Sequence, residues 1–200
     1  MTLKRKRCTM CEYPQSVCIC FAVETVKCKQ KIIVLQHPAE GKHTKNSARL
    51  LTLCLANVHI VMGESADDFL QIAKECHFEP EQFAVFYPSD RSCALEQHLS
   101  QFKIDMPHTL IFIDATWRKA LKMWLLNPWL HRLNCWKFST PPNSRYQIRK
   151  AAVENSLSTL EAVAYVLEQT QDIDCQPLHK IFSAMQTRVF AGQIQEQIDN

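Results

Sequence analysis

Residues 109–117 read Thr-Leu-Ile-Phe-Ile-Asp-Ala-Thr-Trp. The first five form a short apolar run of β-branched, aromatic and aliphatic side chains. It is too short for a helix, and it is unbroken rather than alternating. Such a run predicts a strand buried on both faces, at the centre of a parallel sheet. Asp114 follows at once, where apolar packing ends. A helical pattern then occupies 117–126 and stops before Pro128. Working outward, short apolar runs at 31–37, 59–62, 83–87 and 135–139 predict four further strands. Helical spacing predicts helices over 44–58, 65–76, 92–102, 158–169 and 178–198. The helix at 65–76 opens on the capping-box-like Ser65-x-x-Asp68. Strands alternating with helices predict an α/β fold with a mostly parallel sheet. Ligands of such sheets lie beyond the carboxyl ends of the strands. The informative residues are therefore the tips: Gln36-His37-Pro38, Tyr87-Pro88-Ser89-Asp90, Asp114-Ala115-Thr116-Trp117 and Ser139-Thr140-Pro141-Pro142.

Composition narrows the function. The chain has 200 residues, 46% hydrophobic and 22% charged, as a globular protein does. No stretch approaches the roughly 20 apolar residues of a membrane helix, and the basic start lacks the apolar segment of a secretory signal. A cytoplasmic location without membrane contact is expected. The three glycines (Gly41, Gly63 and Gly192) lie in no phosphate-cradling motif. A nucleotide-like ligand would have to be held another way. Residues 1–150 carry 21 basic and 13 acidic residues, a net of +8, whereas 151–200 carry 2 and 7, a net of −5. The basic part favours a polyanionic partner such as nucleic acid.

Ten cysteines are present. Six (Cys28, Cys54, Cys76, Cys93, Cys135 and Cys175) are scattered, most among apolar neighbours, and read as small buried hydrophobes. The other four form Cys8-x2-Cys11-x6-Cys18-x-Cys20. Two closely spaced pairs of thiolates around a Tyr13-Pro14 turn suit a four-coordinate metal, which closes the shell and makes the role structural. Zn²⁺ is expected, with an iron–sulfur cluster as the lesser option. The spacing divides the chain into a cysteine-rich zinc-binding segment, 1–28, and a main α/β domain, 29–200.

At the central strand's tip the residues permit two readings. Asp114 or Thr116 caps the following helix, or Asp114 takes part in chemistry. Trp117 is core packing or a stacking surface. His37 reads as a strand-end residue serving turn geometry, with a catalytic role as the alternative. Glu161 opposes the dipole at a helix start. Ile181, Phe182, Met185, Val189 and Ile194 form one helix face, either core or a dimer surface, so monomer and homodimer both stand.

Taken in order, the cysteine motif, Gln36-His37-Pro38-Ala39-Glu40, Tyr87-Pro88-Ser89, Asp114-Ala115-Thr116-Trp117 and Ser158-Thr159-Leu160-Glu161-Ala162 resemble the DTW-domain family, named for D-x-T-W. The resemblance runs from Cys8 to about Ala164. Many members carry Gly where this chain has Ala115. The resemblance implies a SPOUT-like α/β sheet with a C-terminal trefoil knot, built around the tips near Ser89 and Asp114 and the segment 138–161. It implies transfer of the 3-amino-3-carboxypropyl group of S-adenosylmethionine to N3 of a tRNA uridine, releasing methylthioadenosine. Asp114 is then the candidate catalytic base or the anchor of the cofactor's amino group. Pro88, Ser89, Thr116, Phe138, Ser139, Tyr146 and Thr159 are expected around the cofactor. Trp117, Arg118, Lys42, Lys45, Arg145 and Arg149 are expected to meet the tRNA. A SPOUT-type RNA methyltransferase and a non-catalytic zinc-containing RNA-binding protein are the alternatives. Family members modify different tRNA positions, and the sequence selects none.

Overall fold

The computed structural model describes residues 6–148 and 156–191. Six strands form one sheet among the described residues: β1 (Lys31–Gln36), β2 (Val58–Met62), β3 (Phe83–Phe86), β4 (Cys93–Ala94), β5 (Thr109–Asp114) and β6 (Asn134–Lys137). Their order is β2-β1-β5-β3-β6-β4, and every pairing is parallel. The run at 109–114 is interior, paired with β1 on one side and β3 on the other.

The unbroken apolar runs have a direct cause: β1, β3 and β5 each feed two cores, because side chains alternate across a sheet. Ile32, Val34, Leu110, Phe112, Ala84 and Phe86 face one cluster. Ile33, Leu35, Ile111, Phe83 and Val85 face the other. Helices α2 (Ala48–Cys54), α6 (Thr159–Gln171) and α7 (Gln176–Ala184) cover the first face. Helices α3 (Leu70–Phe78) and α5 (Trp117–Leu126) cover the second. Two shorter helices, α1 (Pro38–Gly41) and α4 (Leu99–Ile104), complete the α-helices of the described residues. Cys11, Tyr13, Ile19, Ala22 and Val26 of the N-terminal segment belong to the first cluster.

Helix α5 occupies the expected span. Helix α6 begins with a full capping box: Ser158 accepts from the Glu161 N–H, and Glu161 accepts from the Ser158 N–H. The segment 92–102 departs from expectation. Ser92 donates its hydroxyl to the Tyr87 carbonyl at 2.6 Å, and Cys93–Ala94 pair with Trp136 and Lys137 of β6. An available strand edge overrides the helical spacing there, and α4 starts only at Leu99. The helix expected at 65–76 starts at Leu70, because Asp68 closes a turn by accepting from the N–H groups of Glu64 and Ser65. The helix expected at 44–58 is confined to Ala48–Cys54. In α7 and the π-turn after it, Ile181, Phe182 and Met185 are fully packed, so that face is core. Residues 192–198 of the expected last helix, Ile194 included, lie outside the described residues. No described helix is long and apolar enough to cross a membrane.

Candidate functional site

The carboxyl ends of β3, β5 and β6 open into a cleft of about 1250 Å³. That exceeds the ordinary volume of a small-molecule pocket, roughly 300–1,000 Å³. Its apolar wall is aromatic. Phe86 stacks on Phe112 at 4.9 Å between centroids and approaches Phe138 at 6.0 Å. Its polar end is Asp114, the last residue of β5.

Asp114 is held from two sides. Parallel register sets it opposite Gln36 at the tip of β1. Gln36 Nε2 donates to Asp114 Oδ2 at 2.8 Å, and Thr159 Oγ1, at the start of α6, donates to Oδ1 at 2.5 Å. The carboxylate is therefore oriented by one neighbouring strand tip and by a helix N-terminus, where negative charge is favoured. The cap of α5 falls to Thr116, without a side-chain bond. His37 caps α1, its Nδ1 accepting from the Ala39 N–H at 3.1 Å. Its Nε2 lies 3.2 Å from Glu64 Oε1, which also pairs with Lys122.

Two other carboxylates pin the cleft's loops. Glu161 is 5% exposed. Beyond its capping bond it accepts from the Arg145 N–H at 2.6 Å and from the Ser144 hydroxyl. Glu96 accepts from the N–H groups of Ser139 and Thr140, from the Ser139 hydroxyl, and from the Tyr165 hydroxyl at 3.0 Å. Burial pushes the Glu96 carboxyl up, but the Ser139 and Thr140 donors outweigh it and hold the group below its ordinary 4.5. Burial, reinforced by Glu96, pushes Tyr165 up to about 12.

The expected site residues distribute as follows. Asp114, Pro88, Thr116, Trp117, Arg118, Phe138, Ser139, Tyr146 and Thr159 all line the cleft. Trp117 is 43% exposed at its rim. Ser89 is not in the lining; its hydroxyl is bonded to that of Ser92 at 2.8 Å. Lys45 turns inward, its Nζ donating to the Ile148 carbonyl at 2.9 Å. Lys42 and Arg145 are exposed outside the lining. Arg149 lies outside the described residues. Sequence reasoning missed Glu96 altogether. Gln36 was visible as a strand-tip and motif residue without a role, since its bond to Asp114 follows from register.

The four clustered cysteines converge at the N-terminus. Their sulfurs all lie within 4.8 Å of one another, with Cys8–Cys20 at 3.5 Å and Cys11–Cys18 at 3.7 Å. Thiolates bound tetrahedrally at ~2.3 Å from a metal stand ~3.8 Å apart, so this donor set fits one ion. Backbone N–H groups of Cys11 and Met10 draw the Cys8 thiol down to about 6. Burial and the adjoining thiols push Cys20 the other way, to about 12, as two sulfurs sharing a proton would. The Cys8 direction is the one fixed by backbone donors, and it favours a ligating thiolate.

A family model described as DTW domain matches residues 5–190. The chain is 33% identical to the tRNA-uridine aminocarboxypropyltransferase 2 of Drosophila melanogaster over 193 residues, 89% of this chain and 74% of that one. It is 28% identical to the mouse protein of the same name over 178 residues, covering 86% and 59%. With the tRNA-uridine aminocarboxypropyltransferase A of Arabidopsis thaliana it shares 29% over 134 residues, covering 60% and 50%. The chain thus spans between a half and three quarters of these relatives' lengths. No solved structure matches it.

Proposed function

From the premise that this chain belongs to the DTW-domain family, we propose that it is a tRNA-uridine aminocarboxypropyltransferase with a SPOUT-like, knotted catalytic domain acting in the cytoplasm. The observation that carries the reading is the oriented Asp114 carboxylate at the end of an aromatic-walled cleft. Bound S-adenosylmethionine would supply an activated γ-carbon, whose 3-amino-3-carboxypropyl group is transferred to uridine N3 with methylthioadenosine as the other product.

The residues fit such a donor. Phe86, Phe112 and Phe138 offer an apolar wall for a purine. Lys137 and Arg118 are cations in the lining, suited to a carboxylate or an RNA phosphate. The cleft's volume leaves room for a pyrimidine beside the donor, and Trp117 at the rim is placed to stack on it. Asp114 takes the N3 proton, its rotamer held by Gln36 and Thr159. The donors already facing both its oxygens favour a second role, in which the carboxylate grips the cofactor's cationic amino group. Cys8, Cys11, Cys18 and Cys20 hold a structural Zn²⁺.

Nucleoside mass spectrometry of tRNA incubated with the protein and S-adenosylmethionine tests the reading. The expected product is aminocarboxypropyluridine with equimolar methylthioadenosine. Methylated uridine would establish a methyltransferase instead, and RNA binding without a nucleoside product a non-catalytic module. Asp114→Asn separates the two roles of the carboxylate. A base predicts a turnover loss of roughly 10²-fold or more with cofactor affinity kept; an anchor predicts that affinity falls as well.

A further inference from the structure

We infer that Arg49 is a positioning residue that ties the order of the cysteine cluster to the cleft wall at Tyr146. Arg49 is the second residue of α2, and its side chain is 25% exposed. Its guanidinium lies 4.0 Å over the Tyr13 ring, and Nη2 donates to the Cys11 carbonyl at 3.1 Å. Nη1 meets the Glu12 carboxylate at 3.5 Å. One side chain thus grips the loop that carries a sulfur ligand, by a charge-assisted bond, a cation–π contact and an ion pair.

The same region reaches toward the cleft. The Arg49 N–H donates to Asn46 Oδ1 at 3.3 Å, and the Tyr13 hydroxyl approaches the Thr44 carbonyl at 3.4 Å. Residues 44–46 are therefore tied to the cysteine loop directly through Tyr13 and indirectly through Arg49. From the other side, the Tyr146 hydroxyl donates to the Lys45 carbonyl, and Lys45 Nζ donates to the Ile148 carbonyl at 2.9 Å. Tyr146 lines the cleft. A continuous set of bonds thus runs from a metal-ligating loop through 44–46 to a wall of the cleft. Tyr146 also rests edge-on against Phe182 at 4.9 Å, so breaking the tie loosens the wall without dismantling it. The zinc and ligand-affinity readouts below rest on the proposed function.

The test is amide hydrogen exchange on Zn²⁺-loaded Arg49→Ala, with zinc content and S-adenosylmethionine affinity measured on the same sample. Zinc stoichiometry should stay at the wild-type value. Exchange over 145–148 should accelerate about tenfold, as loss of one charge-assisted hydrogen bond permits, while β5 exchange is unchanged. Affinity should fall several-fold. Chelated wild type should loosen the same 145–148 peptides. Native exchange there in the zinc-loaded variant, or chelation that loosens only the cysteine segment, overturns the inference. Where Arg49→Ala fails to fold or to keep zinc, Tyr146→Phe serves, since it removes the hydroxyl that bonds Lys45 and keeps the ring. Faster exchange over 45–46 with zinc retained is expected, and unchanged exchange overturns the inference. If the wild type does not bind S-adenosylmethionine, the proposed function falls, and the exchange data still decide the role of Arg49.

Discussion

The cysteine segment and the cleft stand in one molecule, yet they keep their order by different means. Among its described residues, the cysteine segment has no ladder beyond a single bridge between Arg7 and Pro14, with two single-turn 3₁₀ helices at Gln15–Val17 and Cys20–Ala22. Its four sulfurs point at one another, and its apolar residues are packed into a core that the sheet and helices supply. The cleft has a floor of parallel strands in register from Lys31–Thr109 to Gln36–Asp114, buried on both faces. Its loops are pinned by single carboxylates, Glu96 and Glu161. One region brings four sulfurs together, as the proposed zinc site requires. The other depends on packing, and then on a few polar anchors. They are open to different injuries, which makes the contrast testable.

Metal removal should have the largest effect, opening the cysteine segment and loosening 145–148 but sparing the sheet. Structural zinc in small domains contributes on the order of 10 kcal/mol of apparent binding free energy. Chelation, or Cys11→Ser, should therefore open the amides of the cysteine segment fully while β1 and β5 stay protected. Simultaneous loss of protection in the sheet would show the two regions to be one cooperative unit. Glu161→Ala comes next. It removes the acceptor of the Ser158 and Arg145 N–H groups in a buried setting, which should cost about 3 kcal/mol in denaturant unfolding, more than a lost helix cap alone. A cost near that of an exposed cap, roughly 1 kcal/mol, would mean that the loop at 144–145 finds other partners.

The smallest effect is a pH window set by Glu96 and Tyr165. Glu96 is held below 4.5 in the folded chain, so its contribution is present above that pH and fades as pH falls through the lowered value. Tyr165 is raised from 10.0 to about 12, so its contribution is complete below 10 and fades as pH rises toward 12. Tyr165→Phe should flatten the alkaline limb of a melting-temperature profile and leave the acid limb in place. An unchanged alkaline limb would remove the tyrosine from the clamp.

Much of the fold is written in local pattern. Residues 117–126 form a helix because their apolar spacing and the following Pro128 leave no better option. The helix expected at 158–169 is present as α6, with Glu161 in its first turn. The segment at 92–102 was misleading, since helical spacing says nothing about an open strand edge beside it. Glu96 carries no signal in the sequence, because its partners at Ser139, Thr140 and Tyr165 are 43 to 69 positions away.

By itself, then, the sequence determined the alternation of strands and helices, the metal-competent spacing of Cys8, Cys11, Cys18 and Cys20, and the placing of an aspartate at the end of the most apolar strand. These depend on neighbours within a turn or a strand's length. Only the tertiary structure decided that Gln36 and Thr159, 78 and 45 positions from Asp114, share its carboxylate. It alone made Glu96 and Glu161 loop clamps, and Arg49 a bridge between the cysteine loop and the cleft. Parallel register and crossover connections join residues that no local periodicity relates, and such contacts exist only once the core has packed.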